Sequence, residues 1–235
     1  MRATPLREAL WVSADVTIAV AAIVVALPRS WHTTLVGLVF LGATWALVWR
    51  RDDAVVRTSG LALGGLVIPG QLRAKDVARQ GLVAAAWAFG TMALIAVPFF
   101  FGWRLWWLHG MPALHFSMSV KPGEAANEVL GQLFVVALPE EAFYRGYLQT
   151  RLDDAWTPRW RILGATLGPG WLVACTIFAV GHLATFHAPT RLAVFFPSLV
   201  FGWLRARTGG IGASMTFHML CNVYSQALGR GYGFY

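Results

Sequence analysis

Long apolar stretches separated by short polar segments dominate this chain. A helix needs about 20 apolar residues to cross a bilayer. The pattern predicts seven membrane helices, although the sixth is short and depends on flanking arginines that reach the membrane surface. These helices are predicted at residues 12–27, 33–49, 80–103, 124–150, 170–186, 192–204 and 208–229.

Residues 58–72 are also apolar, but they are glycine-rich and too short to span a membrane. We interpret this segment as interfacial or re-entrant, which leaves open whether an eighth helix exists. The predicted fold is therefore an all-α membrane bundle of seven to eight helices. It forms one integral membrane domain over residues 1–235, with N-terminal helices in 1–123 and a helix core in 124–229 that contains the chemically informative residues.

Composition supports membrane insertion. Charged residues make up 13% of the chain, against roughly 25% in soluble proteins. The net charge of +8 does not indicate nucleic-acid binding, because the basic residues lie in the loops between apolar spans. Thirteen of the 19 Lys and Arg residues would lie on one side if the N-terminus were cytoplasmic. The sequence thus predicts a protein of the cell membrane with an internal N-terminus.

The fourth predicted helix contains ionisable groups where lipid cannot solvate them. Glu140, Glu141 and Arg145 lie in the stretch A-L-P-E-E-A-F-Y-R. Glu141 and Arg145 are four residues apart, so they face each other on a helix and can form an ion pair. Glu140 points about 100° away and has no local partner. An unpaired carboxylate inside a membrane indicates a functional site.

Two further predicted helices carry polar side chains at a similar depth. His182 lies about 18 Å along the fifth helix and His218 about 15 Å along the seventh, at about 1.5 Å per residue. Asn222 follows His218 by four residues and shares its helix face. Each residue alone is compatible with a hydrogen bond between helices, and Glu141 with Arg145 alone with a structural ion pair. Six such groups at one depth favour a single site.

The motifs E-E-x-x-x-R, F-x-x-x-H and H-x-x-x-N, in this order, resemble those of the CPBP family. This family comprises Abi-type intramembrane proteases and includes the eukaryotic CAAX prenyl endopeptidase. The resemblance covers residues 124–229 and rests on Glu140 to Arg145, Phe178 to His182 and His218 to Asn222. The best-known members have eight helices, one more than the seven spans assigned here.

The resemblance implies an intramembrane protease. Glu140 would be the base that activates water, with His182 holding that water, while His218 and Asn222 would stabilise the oxyanion. Glu141 and Arg145 would be supporting groups. The implied partner is a membrane-anchored protein or peptide in the lipid bilayer. The Ala-, Arg- and Trp-rich composition is typical of a high-GC bacterium, in which prenylated CAAX substrates are not expected.

Two alternatives remain open. Glu140, His182 and His218 could together bind Zn²⁺ and leave one position open, although we favour a site without a cofactor because an Asn amide suits an oxyanion donor better than a zinc ligand. The protein could also be non-enzymatic, since Abi relatives are associated with bacteriocin self-immunity. A protein that only binds would not need an unpaired Glu140.

Overall fold

The computed structural model describes residues 4–68, 70, 72–107, 115–117 and 121–233. Helices dominate this part of the chain, as the sequence predicts. The α-helices are α1 (Pro5–Ala26), α2 (Arg29–Thr44), α3 (Asp53–Thr58), α4 (Ala74–Trp107), α5 (Pro122–Gly131), α6 (Leu138–Glu141), α7 (Thr150–Ala155), α8 (Pro169–Thr185), α9 (Phe195–Thr208) and α10 (Gly212–Gly231).

Among the described residues, three helical stretches are long and apolar enough to cross a membrane: Pro5–Ala26, Arg29–Trp49 and Ala74–Trp106. Much of the surface of α4 consists of exposed large apolar side chains such as Leu94 and Phe101. Such a surface is stable against lipid but not against water. The fold is a polytopic membrane helix bundle, which confirms the predicted class.

In the part of the chain that the structure describes, three stretches are π-helical. Residues Trp45–Trp49 extend α2, while Gln132–Ala137 and Ala142–Gln149 join α5, α6 and α7 into one continuous helical rod from residue 122 to 155. The two π-helical stretches of the rod flank the pair Glu140–Glu141 directly. The π-helix is rare and is often found at functional sites.

Residues 58–72 do not form an eighth long helix in the part that the structure describes. They contain a 3₁₀ turn at Leu63–Gly65, in which Gly64 has a φ of 72°. The segment is fixed from both sides: Trp49 donates through Nε1 to the Leu61 carbonyl at 3.3 Å, and Arg205 donates to the Thr58 carbonyl at 2.8 Å.

A small β-hairpin was not predicted from the sequence. Strands β1 (Trp160–Ile162) and β2 (Ala165–Leu167) pair antiparallel. The turn residues Leu163 and Gly164 both have positive φ, 45° and 78°, as the tightest hairpin turns require. Three-residue strands give too short an alternating pattern to be recognised against the helical stretches around them.

The rod lies at the centre of the bundle. All nine residues from Glu141 to Gln149 are buried, and the rod contacts α2, α8, α9 and α10. Gly37 of α2 permits one of these approaches, because a Cβ atom there would lie 2.7 Å from the backbone oxygen of Val135. Glu141, Arg145 and Gln149 are therefore held inside the protein rather than against lipid.

Candidate active site

Glu141 and Arg145 form the buried ion pair that their spacing predicts. Arg145 Nε lies 3.5 Å from Glu141 Oε2, and the two side chains are 1% and 0% exposed. Arg145 also donates through Nη2 to Ser198 Oγ at 2.9 Å and to the Ser198 carbonyl at 3.3 Å. Ser198 on α9 therefore fixes the arginine that neutralises Glu141.

Aromatic rings enclose this arginine. The Arg145 guanidinium carbon lies 4.5 Å from the centre of the Phe178 ring and 5.2 Å from that of Phe201. A cation over an aromatic face is stabilised by the negative face of the ring. Phe178 also packs against His182, with the two ring centres 4.5 Å apart. The phenylalanine of F-x-x-x-H thus links the ion pair to a histidine of the site.

His218 contacts both carboxylates. Its Nδ1 atom lies 3.1 Å from Glu141 Oε1, and its Nε2 atom lies 3.8 Å from Glu140 Oε2. The ring stacks on Phe201 at a centre-to-centre distance of 4.5 Å and an angle of 15°. The structure therefore brings Glu140, Glu141, Arg145 and His218 into one cluster.

Glu140 and His182 meet at a cavity of about 30 Å³. This volume is enough for one or two water molecules, since one water needs roughly 10–15 Å³. His182 Nδ1 lies 2.9 Å from the Phe178 carbonyl. A carbonyl only accepts, so Nδ1 carries the proton and Nε2 is left as an acceptor. The cavity is lined by Thr17, Val20, Val36, Phe40, Glu140, Tyr144, Gly181, His182 and Thr185.

Asn222 lies one helical turn beyond His218 on α10, and its amide is held from the rod. Asn222 Nδ2 donates to Gln132 Oε1 at 2.8 Å. An Asn amide has two N–H groups, so this bond fixes the plane of the amide and leaves one donor for another acceptor.

The part of the chain that contains Glu140, Glu141, Arg145, His182, His218 and Asn222 matches a known protein family. Residues 122–224 match the family described as Rce1-like, type II CAAX prenyl endopeptidase. We refer to this matching segment, which is less than half of the chain, as the Rce1-like domain. The match confirms the resemblance to the CPBP family over this part of the chain. No curated protein and no solved structure matches the chain.

Several contacts in the Rce1-like domain were missed from the sequence. Gln132 carried a usable signal, because it is the one amide in the apolar run V-L-G-Q-L-F-V-V-A-L. Ser198 and Phe201 carried none, since a serine and a phenylalanine are ordinary residues in a membrane helix. Ser198 contacts Arg145, which is 53 positions away in sequence, and Phe201 contacts His218, which is 17 positions away. Helix packing alone brings these residues together.

The Rce1-like domain does not present a three-ligand metal site in this geometry. Within the described ranges, no three His, Cys, Asp or Glu side chains are grouped so that they could hold one metal ion. Glu140, His182 and His218, the ligands of the zinc alternative, are not grouped in this way. His182 Nδ1 and His218 Nδ1 are both hydrogen-bonded within the protein, so any ligand would bind these rings through Nε2.

Proposed function

We propose that this protein is an intramembrane endopeptidase that hydrolyses a peptide bond of a membrane-associated protein or peptide. The observation that carries the proposal is that Glu140 and His182 line one water-sized cavity while His218 lies against Glu140. Peptide hydrolysis needs a base for water, donors for the oxyanion and a proton for the leaving amine. We further propose that it acts in the cell membrane with its N-terminus in the cytoplasm.

Glu140 is the base in this proposal. Glu140 Oε2 has no hydrogen-bond partner among the described residues, so it is available to accept a proton from water. His182 Nε2, an acceptor, would hold the same water from the other side. Two acceptors orient a water so that one lone pair of its oxygen points away from both, toward an incoming carbonyl carbon.

His218 and Asn222 are the oxyanion donors. His218 Nδ1 donates to Glu141, so Nε2 becomes a donor only when the ring carries a second proton. That proton would bring the formal charge of Glu140, Glu141, Arg145 and His218 to zero. Asn222 would contribute the N–H group that Gln132 leaves free.

The reaction then balances without a further reagent. Water gives one proton to Glu140 while its oxygen bonds to the scissile carbonyl carbon, which makes a tetrahedral oxyanion. The C–N bond breaks, the proton on Glu140 passes to the leaving nitrogen, and the products are a carboxylic acid and an amine. Glu140 ends in the state in which it began.

The test is cleavage of a quenched membrane-peptide library by detergent-purified protein, using wild type, Glu140→Gln and His182→Ala, each with and without a strong chelator. We expect the rate to fall at least about 100-fold in both variants, since positioned acid–base groups contribute about 10²–10⁴-fold, and to be indifferent to chelator. Asp15→Asn is the matched control, because Asp15 is an exposed carboxylate of α1.

Three other outcomes would contradict the proposal in different ways. Loss on chelation with recovery on adding Zn²⁺ would identify a metalloprotease. Undiminished cleavage by Glu140→Gln would exclude Glu140 as the base. If wild type cleaves no peptide, and its effect on cells is the same in the Glu140→Gln variant, a non-enzymatic immunity protein would be favoured.

A further inference from the structure

A second, much larger opening lies between the first turns of α2 and the rod and the last turns of α10. Its volume is about 670 Å³, within the range of about 300–1,000 Å³ of ligand sites. Seven of the ten described residues that line it are polar, among them Thr33, Asn127, Glu128, Gln132, Gln226 and Arg230. We call this opening the polar groove. Polar residues that face a cavity in a membrane bundle mark pathways for substrates.

Glu128 leaves one acceptor unused in the wall of the polar groove. Its Oε2 atom pairs with Arg230 Nη1 at 2.5 Å, and its side chain is 13% exposed. Its Oε1 atom is buried and has no hydrogen-bond partner in the described part of the chain. Buried carboxylate oxygens are nearly always paired, so Oε1 is an acceptor for which the described part of the chain supplies no donor.

Gln132 connects the polar groove to the candidate active site. Its side chain forms part of the wall and accepts the hydrogen bond of Asn222 at 2.8 Å. Asn222 lies one turn from His218, which contacts Glu140. A ligand in the groove would therefore lie one side chain away from the proposed oxyanion donors.

We infer that the polar groove binds an extended polypeptide segment of the substrate, on one side of the bond that is cut. The amides of Asn127, Gln132 and Gln226 and the free Glu128 oxygen offer the donors and acceptors that peptide N–H and C=O groups need. A lipid or isoprenoid chain has no groups to pair with them. The substrate is thus bound through a polar, extended stretch rather than a lipid-embedded helix. This inference rests on the proposed function.

Gly131 gives a direct test, because it lines the polar groove and a Cβ atom there would meet nothing within 4 Å. Gly131→Leu would place a side chain in the groove without disturbing the helix. Gly90→Leu is the matched control: Gly90 is exposed on α4 and also has open space at its Cβ. For a peptide that wild type cleaves, we expect Gly131→Leu to raise KM at least about tenfold, or about 1.4 kcal/mol, with kcat little changed. Gly90→Leu should match wild type.

Equal KM values for the two leucine variants would overturn the inference while leaving the proposed protease activity intact. If wild type cleaves none of the peptides, a measurement of peptide binding tests the inference instead. The same peptide library is incubated with Glu140→Gln/Gly131→Leu and Glu140→Gln/Gly90→Leu in nanodiscs, and retained peptides are counted by mass spectrometry. Lower retention by the Gly131 variant supports the groove even though the proposed activity has failed. Equal retention, or none by either variant, overturns the inference.

Discussion

His218 Nδ1 lies 3.1 Å from Oε1 of Glu141 in the interior of the bundle. An ionised carboxylate can only accept, so Nδ1 carries a proton and Nε2 faces Glu140. The second glutamate of the E-E pair therefore orients a histidine, while the first is left free at the cavity. Two adjacent carboxylates have different surroundings because they point to different sides of one helix.

Removing Arg145 alone should destabilise the protein strongly. Arg145→Met leaves Glu141, which is 0% exposed, without its cation, and breaking a buried pair in this way typically costs about 3–5 kcal/mol. Thermal unfolding in detergent measures the loss. The double variant Glu141→Gln/Arg145→Met removes both charges and should recover part of the stability. A double variant that is less stable than Arg145→Met would contradict this account of the pair.

Ser198→Ala should weaken the site without abolishing folding. It removes the 2.9 Å hydrogen bond to Arg145, and bonds to charged groups contribute about 1.5–3 kcal/mol. We expect a lower melting temperature and a cleavage rate below wild type but above Glu140→Gln. Thr176→Ala is the control, because Thr176 is exposed and its hydroxyl donates to the Leu172 carbonyl of its own helix. A Ser198→Ala variant that behaves like this control would refute a supporting role for Ser198.

Gly181→Ala should impair the cavity specifically. A Cβ atom at this position would lie 2.9 Å from the Tyr144 hydroxyl, and both residues line the cavity with Glu140 and His182. Tyr144 is buried among aromatic rings, so the cavity must deform to admit the methyl group. We expect a lower kcat from a folded variant. Gly42→Ala, where a Cβ atom meets open space, should keep wild-type kcat, and equal kcat in both would contradict the prediction.

Asp153, beyond the membrane-spanning part of the rod, should make stability depend on pH. Burial raises the pKa of Asp153 from its ordinary value of 3.8 to about 7, although Arg205 opposes the rise and Asp154 adds to it. The folded protein therefore holds this proton up to about pH 7, while the unfolded chain releases it near pH 4. Stability from this group is present below about pH 4 and is lost as the pH rises to about 7.

Asp153→Asn resembles the protonated form at every pH. The melting temperature of the variant relative to wild type should therefore rise between about pH 4 and pH 7 and then become constant. Thermal unfolding at several pH values checks this. A difference that does not change over that range would show that Asp153 has an ordinary pKa in the folded protein.

Most of the helical layout could be predicted because bilayer crossing imposes a length and an apolar composition that are visible in one sequence. The Glu141–Arg145 pair was predictable for a local reason, since residues four apart share a helix face. The contact of His218 with these carboxylates was only anticipated through matched depth. Comparing the depths of residues on separate helices predicts that they lie in the same layer of the bilayer, but it does not predict which of them are in contact.

The rest depends on packing between distant segments. Nothing local marks Ser198 as the partner of Arg145, and the π-helical stretches on either side of Glu140 do not follow from residue propensities. The hairpin at β1 and β2 is too short to produce a pattern. The bond from Asn222 to Gln132 joins residues 90 positions apart, and it depends on how α10 lies against the rod.

The most direct measurement is the cleavage rate of purified Glu140→Gln beside wild type at saturating peptide, with melting temperatures recorded for both. The proposed mechanism predicts a fall of at least about 100-fold with nearly unchanged melting temperature, because Glu140 Oε2 supports no hydrogen bond among the described residues. A folded Glu140→Gln protein that cleaves within about tenfold of the wild-type rate would contradict Glu140 as the base.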